Sequence, residues 1–325
     1  MALLEVKDLK VSFTTNHGRL YAVDGIDVTL EAGESLAIVG ESGSGKSVTS
    51  LSIMGLIENP GEVQAEHILF KGQDLASVSA RKHRAILGNE LSMIFQDPSS
   101  SLNPCFTIGA QIDEALKKHT DTSRKARRQR AIDLLKAVGI PDPESRLAAW
   151  PHQLSGGMNQ RVMIAIAISC NPALLIADEP TTALDVTIQA QIMSLLKELG
   201  ESRDMAMILI THDLGVVAET VDRVMVMYAG QVVESACKND LLDHPQHPYT
   251  RALMESIPSG RLQGDQRLPV IPGRVPVLDM LPGGCRFHPR CKYADDKCRQ
   301  QRPELVIDDN RSVRCFHPLG VIKHV

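Results

Sequence analysis

Aromatic residues are scarce, with one Trp, four Tyr and six Phe among 325 residues. The core must therefore rest on Ile, Leu, Val, Met and Ala, which bury well without ring stacking. Long apolar runs are also missing. Val162–Ile168 and Met205–Ile210 are the longest, whereas a spanning helix needs about 20 apolar residues. Met1–Leu4 runs straight into the charged, alternating segment Glu5–Leu9, unlike a secretory leader. A cytosolic protein is expected, free to dock on a membrane complex. A net charge of −4 gives no general attraction to nucleic acid. The one basic run, Arg124–Arg130, precedes the apolar stripe Ile132, Leu134, Leu135, Val138 and reads as the solvated face of a helix.

Hydrophobic residues make up 43% and charged residues 23%, ordinary values for a globular chain with a substantial core. Alternation predicts strands over Leu3–Phe13 and Tyr21–Leu30, with Asn16–Gly18 as the turn. Ser35–Val39, Ile68–Phe70, Leu91–Phe95, Leu174–Ala177 and Ala206–Ile210 read as further strands. Helical patterns run from Lys46 through Leu56, over Ile108–Lys118, Ala131–Val138 and Thr187–Leu199. Strands alternating with helices predict an α/β fold whose mainly parallel sheet is covered on both faces. The helical block at about 97–161 interrupts this order and reads as an inserted subdomain. After Ile257, Gly, Pro and Cys become frequent and periodicity fades. The chain thus divides into a domain over 1–256 and an irregular extension over 257–325.

Gly40-Glu41-Ser42-Gly43-Ser44-Gly45-Lys46-Ser47 fits G-x-x-x-x-G-K-[ST], following a predicted strand and opening a helix. Such glycines let successive backbone N–H groups curl around phosphate oxygens. Lys46 then reaches the β- and γ-phosphates of ATP, and the Ser47 hydroxyl ligates Mg²⁺. Leu174-Leu175-Ile176-Ala177-Asp178-Glu179 is an apolar strand ending in two carboxylates. Asp178 suits Mg²⁺ binding through water, and Glu179 can polarise an attacking water as general base. An apolar run ending in Asp-Glu is common by itself; its pairing with the phosphate loop is what makes it specific.

Leu154-Ser155-Gly156-Gly157-Met158 resembles the signature motif of ABC ATPases. Ser155, Gly156 and Gly157 at a helix start offer a second anion-binding N-terminus. The resemblance implies that two nucleotide domains dimerise head to tail, each signature loop capping ATP held by its partner. Met158 departs from the Gln usual in the family. Gln96 resembles the Q-loop glutamine, expected near Mg²⁺ and water. Ala183-Leu184-Asp185 resembles the D-loop, with Asp185 near the partner, and His212 the switch histidine at the γ-phosphate. Phe13, with Tyr21 as the alternative, is expected to stack on adenine. The resemblance covers about Leu3–Val233 and implies a P-loop NTPase with a RecA-like core, an antiparallel β subdomain and an α-helical subdomain.

His247-Pro248-Tyr249-Thr250, Phe95-Gln96-Asp97-Pro98 and Ser101-Leu102-Asn103-Pro104 narrow the likeness to ATPases of the dipeptide/oligopeptide importer family. The chain is similar to the D-type subunits, which pair with a homologous F-type ATPase. Implied partners are two membrane permease subunits and, indirectly, an extracytoplasmic peptide-binding protein, with no nucleic acid. Importers of nickel or glutathione use similar ATPases, so those solutes stay open.

Of seven cysteines, Cys105, Cys170 and Cys237 lie apart and are expected to be small packing residues. Cys285, Cys291, Cys298 and Cys315 are separated by five, six and sixteen residues. That spacing lacks the close pairs usual for zinc and differs from the common ferredoxin spacing of a [4Fe–4S] cluster. The residues leave the cluster, zinc and free thiols open. Resemblance to importer ATPases with Cys-x-Phe-x-Pro-Arg-Cys ranks the cluster first, zinc second and free thiols third.

Overall fold

The computed structural model describes residues 2–16, 18–181, 185–256, 271–308 and 310–320. In chain order the strands are β1 (Leu4–Thr15), β2 (Gly18–Leu30), β3 (Ser35–Val39), β4 (Gly61–Gln64), β5 (His67–Phe70) and β6 (Gln73–Asp74). Then come β7 (Leu91–Ile94), β8 (Leu174–Asp178), β9 (Ala206–Thr211), β10 (Arg223–Tyr228), β11 (Gln231–Cys237), β12 (Val306–Asp308) and β13 (Arg311–Val313). The chain forms two compact units.

The first unit holds residues 1–3, 30–35 and 70–210. Here β8 pairs in parallel with both β7 and β9. Every residue of β7, β8 and β9 is buried, as expected of strands covered on both faces. The predicted helical block is present as helices Ile108–His119, Arg124–Ala137 and Gly156–Ala167, which pack on one another. Ile112, Leu116, Leu135 and Ile164 are buried there. Thr107, Ser123 and Ser155 cap these helices, each side-chain oxygen accepting a first-turn backbone N–H. The basic run lies on Arg124–Ala137, and part of it is tied down. Arg127 donates to Asp113 at 2.7 Å and Arg130 to Asn171 at 2.8 Å.

The second unit holds residues 4–29, 36–69 and 211–325. In it β2, β1 and β5 are neighbours, and β4 runs antiparallel to β1 with Phe13 opposite Gly61. A second group of strands has β10 parallel to β3 and antiparallel to β11. Strand β13 extends this group against β11, and β12 pairs with β13. The helix after the phosphate loop ends at Ile53, short of the expected Leu56, because Gly55 turns the backbone left-handed at φ +65°.

Two expectations need correction, one about the extension and one about two cysteines outside it. Its described part, 271–308 and 310–320, is not uniformly irregular, since it carries the helix Asp296–Gln300 and the β12–β13 hairpin. The hairpin escaped notice because its strands are three residues long and Val306 and Ile307 face solvent. What fixes it is polar. Glu234 on β11 is fully buried and accepts from Arg311 and from the backbone N–H groups of Gln246 and His247. Cys105 and Cys237 are exposed, not packing residues. One lies beside a turn and the other ends β11.

His247 is buried, with Nδ1 accepting the Tyr249 N–H at 3.0 Å. Burial pushes its pKa down to about 3. The unfolded chain takes up a proton below about pH 6.5, whereas the folded imidazole stays neutral until far lower. Its contribution to stability is complete above that pH and is lost progressively on acidification. Urea denaturation should show an unfolding free energy about 2 kcal/mol lower at pH 5 than at pH 7 from this residue. His247→Gln should flatten that slope; an unchanged slope would remove His247 as its cause.

Candidate nucleotide site

The phosphate loop leaves β3 at Gly40 and enters the helix Lys46–Ile53. A side chain at Gly40 would meet the Met227 carbonyl at 2.2 Å, and one at Gly45 the Ala22 carbonyl at 2.6 Å. Gly45 also has φ +102°, a region that L side chains avoid. Both positions therefore demand glycine. The Gly230 N–H donates to the Ser44 carbonyl at 2.9 Å, which ties the loop to the β10–β11 turn. Ser44 is fully buried and its Oγ has no hydrogen-bond partner among the described residues. Lys46 is buried, with Nζ donating to the carbonyls of Gly40 at 2.8 Å and Glu41 at 3.1 Å. Ser47 is half-buried, whereas Ser42 and Gly43 face solvent. A buried ammonium and a buried hydroxyl without a partner, on a loop that opens a helix, are groups able to receive phosphate oxygens.

In the other unit, Asp178 is buried at the end of β8 and Glu179 follows, half-buried. Glu179 has φ +46°, a left-handed conformation costly for a residue with a β-carbon. Its N–H donates to the Ile210 carbonyl at 2.9 Å, which holds that turn. Gln96, just beyond β7, donates from Nε2 to Glu179 Oε2 at 3.2 Å. Two residues chosen from separate motifs thus meet. The parallel pairing of β7 with β8 explains this, since it brings both strand ends to one edge.

Ser155 and Gly156 are exposed, and Gly157 is half-buried. Ser155 Oγ accepts the Met158 N–H at 3.3 Å, capping the helix. A β-carbon on Gly156 would meet nothing within 4 Å, so packing within this chain does not require that glycine. Asp185 is exposed and caps Val186–Arg203 through the Ile188 N–H at 3.0 Å. Ala183 and Leu184 of the expected D-loop lie outside the described residues. His212 is exposed just after β9. Phe13 and Tyr21 are both half-buried on the β1–β2 pair, with Phe13 lying over Gly61.

Sequence reasoning missed the support beneath the phosphate loop. Tyr249 is fully buried and its hydroxyl accepts the Glu41 N–H at 2.9 Å. Arg290 clasps the Glu41 carboxylate with both terminal nitrogens, at 2.7 and 2.9 Å. Tyr228, Tyr249 and Phe287 stack edge-on below, with ring centroids 4.7 to 5.3 Å apart. Burial raises the pKa of both tyrosines, keeping them neutral. The signals were present as His247-Pro248-Tyr249 and Pro289-Arg290-Cys291. Nothing in their spacing says what they touch.

Cys285, Cys291, Cys298 and Cys315 line one cavity with Phe287 and His317. None of the four is in a disulfide. Burial raises each pKa, that of Cys315 to about 12. Among the described residues no three of these sulfurs lie mutually within 4.8 Å. The group that does is Asp295, Cys298 and His317.

Residues 23–182 match the ABC transporter family, and residues 233–298 match the oligopeptide/dipeptide transporter C-terminal region. The chain is 55% identical to the dipeptide transport ATP-binding protein DppD of Escherichia coli (strain K12), over 98% of each chain. It is 53% identical to the oligopeptide transport ATP-binding protein AppD of Bacillus subtilis (strain 168), over 97% of this chain and 96% of that one. The dimeric structure of a bacterial ABC transporter cassette superposes with a TM-score of 0.66 at 28% identity, covering 72% of this chain and 98% of that one. A dimeric cassette in a post-hydrolysis state, bound to ADP and Pi, gives the same TM-score at 27% identity and the same coverage.

Proposed function

The chain belongs to the ABC transporter ATP-binding subunits of the dipeptide and oligopeptide importer family, and we propose that it hydrolyses ATP to power uptake of di- and oligopeptides across the bacterial cytoplasmic membrane. The observation that carries this reading is identity above one half along nearly the whole chain to dipeptide transport ATP-binding proteins. No helix among the described residues is long and apolar enough to cross a membrane. The subunit works from the cytoplasmic face, on permease subunits that supply the path.

The loop Gly40–Ser47 cradles the phosphates with its N–H groups. Lys46 turns from the Gly40 and Glu41 carbonyls toward the β- and γ-phosphates, and the Ser44 hydroxyl gains an acceptor. Ser47, Asp178 and Gln96 offer hard oxygen donors, the set that suits Mg²⁺. These residues would hold the ion, which would supply positive charge to offset that of the phosphate oxygens. Glu179 takes a proton from the attacking water, and its contact with Gln96 supports a shared role in placing that water. His212 contacts the γ-phosphate, and Phe13 or Tyr21 stacks on adenine.

Ser155, Gly156 and Gly157 cap the nucleotide of a partner ATPase. The free space at Gly156 supports this, since a closely approaching ligand gives the glycine its reason. The partner is a homologous F-type subunit, with Asp185 near the shared interface. Residues 1–256 form the nucleotide-binding domain, built on a RecA-like core, and 257–325 the importer-type extension.

The four-cysteine cavity fits a [4Fe–4S] cluster better than a single zinc. Zinc–sulfur bonds of about 2.3 Å set four tetrahedral sulfurs about 3.8 Å apart, whereas no three of these sulfurs lie mutually within 4.8 Å. A cubane takes one thiolate at each corner iron and spreads them wider. Buried thiols with raised pKa values need a cationic centre to ionise together. Cys285, Cys291, Cys298 and Cys315 would hold the group, which staples an extension poor in apolar core.

In the assembled transporter, Glu179→Gln should bind ATP as the parent does and keep it, with turnover reduced about a thousandfold. Filter retention of labelled ATP measures this, and undiminished turnover would remove Glu179 as the base. Chain purified without oxygen should carry about four iron and four acid-labile sulfide atoms. Stoichiometric zinc with no sulfide would replace the cluster with a zinc site.

A further inference from the structure

The phosphate loop carries an acidic residue where the ligand is highly anionic. Glu41 follows Gly40 directly, and its side chain is about one third exposed at 30%. A carboxylate there opposes triphosphate binding unless its charge is cancelled. The compensating charge comes from far along the chain, at Arg290. Its two terminal nitrogens meet the two Glu41 oxygens in a parallel fork, the strongest arrangement open to such a pair. The guanidinium is aimed by its other contacts. Nε donates to the Pro272 carbonyl at 2.8 Å, one terminal nitrogen reaches Tyr228 Oη at 3.4 Å, and the plane lies 5.7 Å from the Tyr228 ring centroid.

Glu41 is gripped at its other groups as well. Its N–H goes to Tyr249, and its carbonyl accepts from Lys46. Glu41, whose carbonyl holds the resting Lys46 ammonium together with that of Gly40, is therefore itself held by the C-terminal extension through Arg290. The turn bearing Arg290 is fastened to the same unit by Arg286, which donates to the Ala229 carbonyl and to Asp24.

We propose that Arg290 is a positioning residue for ATP binding: it neutralises and orients Glu41, so that the C-terminal extension sets the affinity of the phosphate loop. The inference rests on that loop taking ATP. It assigns Arg290 an action on nucleotide affinity that does not pass through the cysteine cavity. Glu41, lying inside the loop, is the point through which it acts.

Calorimetric titration of the purified full-length chain with MgATP tests this, beside thermal melts of each variant. Arg290→Ala should weaken binding about tenfold. Arg290→Lys, which returns a cation without the fork, should recover at least half of that loss in free energy. Glu41→Gln placed in the Arg290→Ala background should restore most of the affinity, because it removes the unpaired carboxylate. Rescue of this kind does not follow from a structural role alone, in which the double variant stays weak. Wild-type affinity in Arg290→Ala, or a double variant as weak as the single, would overturn the proposal. Should Arg290→Ala fail to fold, the comparison of Arg290→Lys with Arg290→Lys/Glu41→Gln still decides, since a neutraliser predicts tighter binding in the second. A wild-type chain that does not bind MgATP would instead count against the phosphate-loop reading.

Discussion

A short buried strand must end in a turn tight enough to face its N–H groups inward, and much of the second unit is arranged around that requirement. Met227 and Ala22 present carbonyls where any side chain at Gly40 or Gly45 would lie. Gly230 donates into the loop from the β10–β11 turn, so strand pairing sets where the loop sits. The scarce aromatics are used close by, with Tyr228, Tyr249 and Phe287 packed on each other. A loop that must hold an anion is thereby supported from beneath by neutral rings and one guanidinium.

Charge placement continues the same logic. Several buried polar groups in this unit are paired by partners far away in sequence. Glu234 gathers an arginine and two backbone N–H groups, and Arg286 reaches Asp24. These contacts fasten the extension to the rest of its unit.

The motif-bearing parts were legible because backbone geometry dictates residue type there. Glycines at the phosphate loop, the apolar strand before Asp178 and the helix start at Ser155 each leave a local pattern. Strands β7, β8 and β9 were readable as short, mostly apolar runs, and the helices by their apolar periodicity. The β10–β11 pair and the tail hairpin were not read, for different reasons. The first lies beyond the motifs, and the second is set by contacts between residues far apart in sequence, such as Glu234 with Arg311, 77 residues away. No window of sequence contains both partners. The same holds for Glu41 and Arg290, whose fork joins the first motif to the last segment.

In the proposed function the phosphate loop and the carboxylates after β8 each serve ATP hydrolysis, and a partner ATPase is needed to complete the chemistry. The most direct measurement is steady-state ATP turnover per subunit, taken on the isolated chain and on the chain assembled with its companion ATPase and permease subunits. The account predicts that the isolated chain binds MgATP yet turns over at least about a hundredfold more slowly than the assembly. Equal turnover in both would contradict it, since the chain would then contain a complete site of its own.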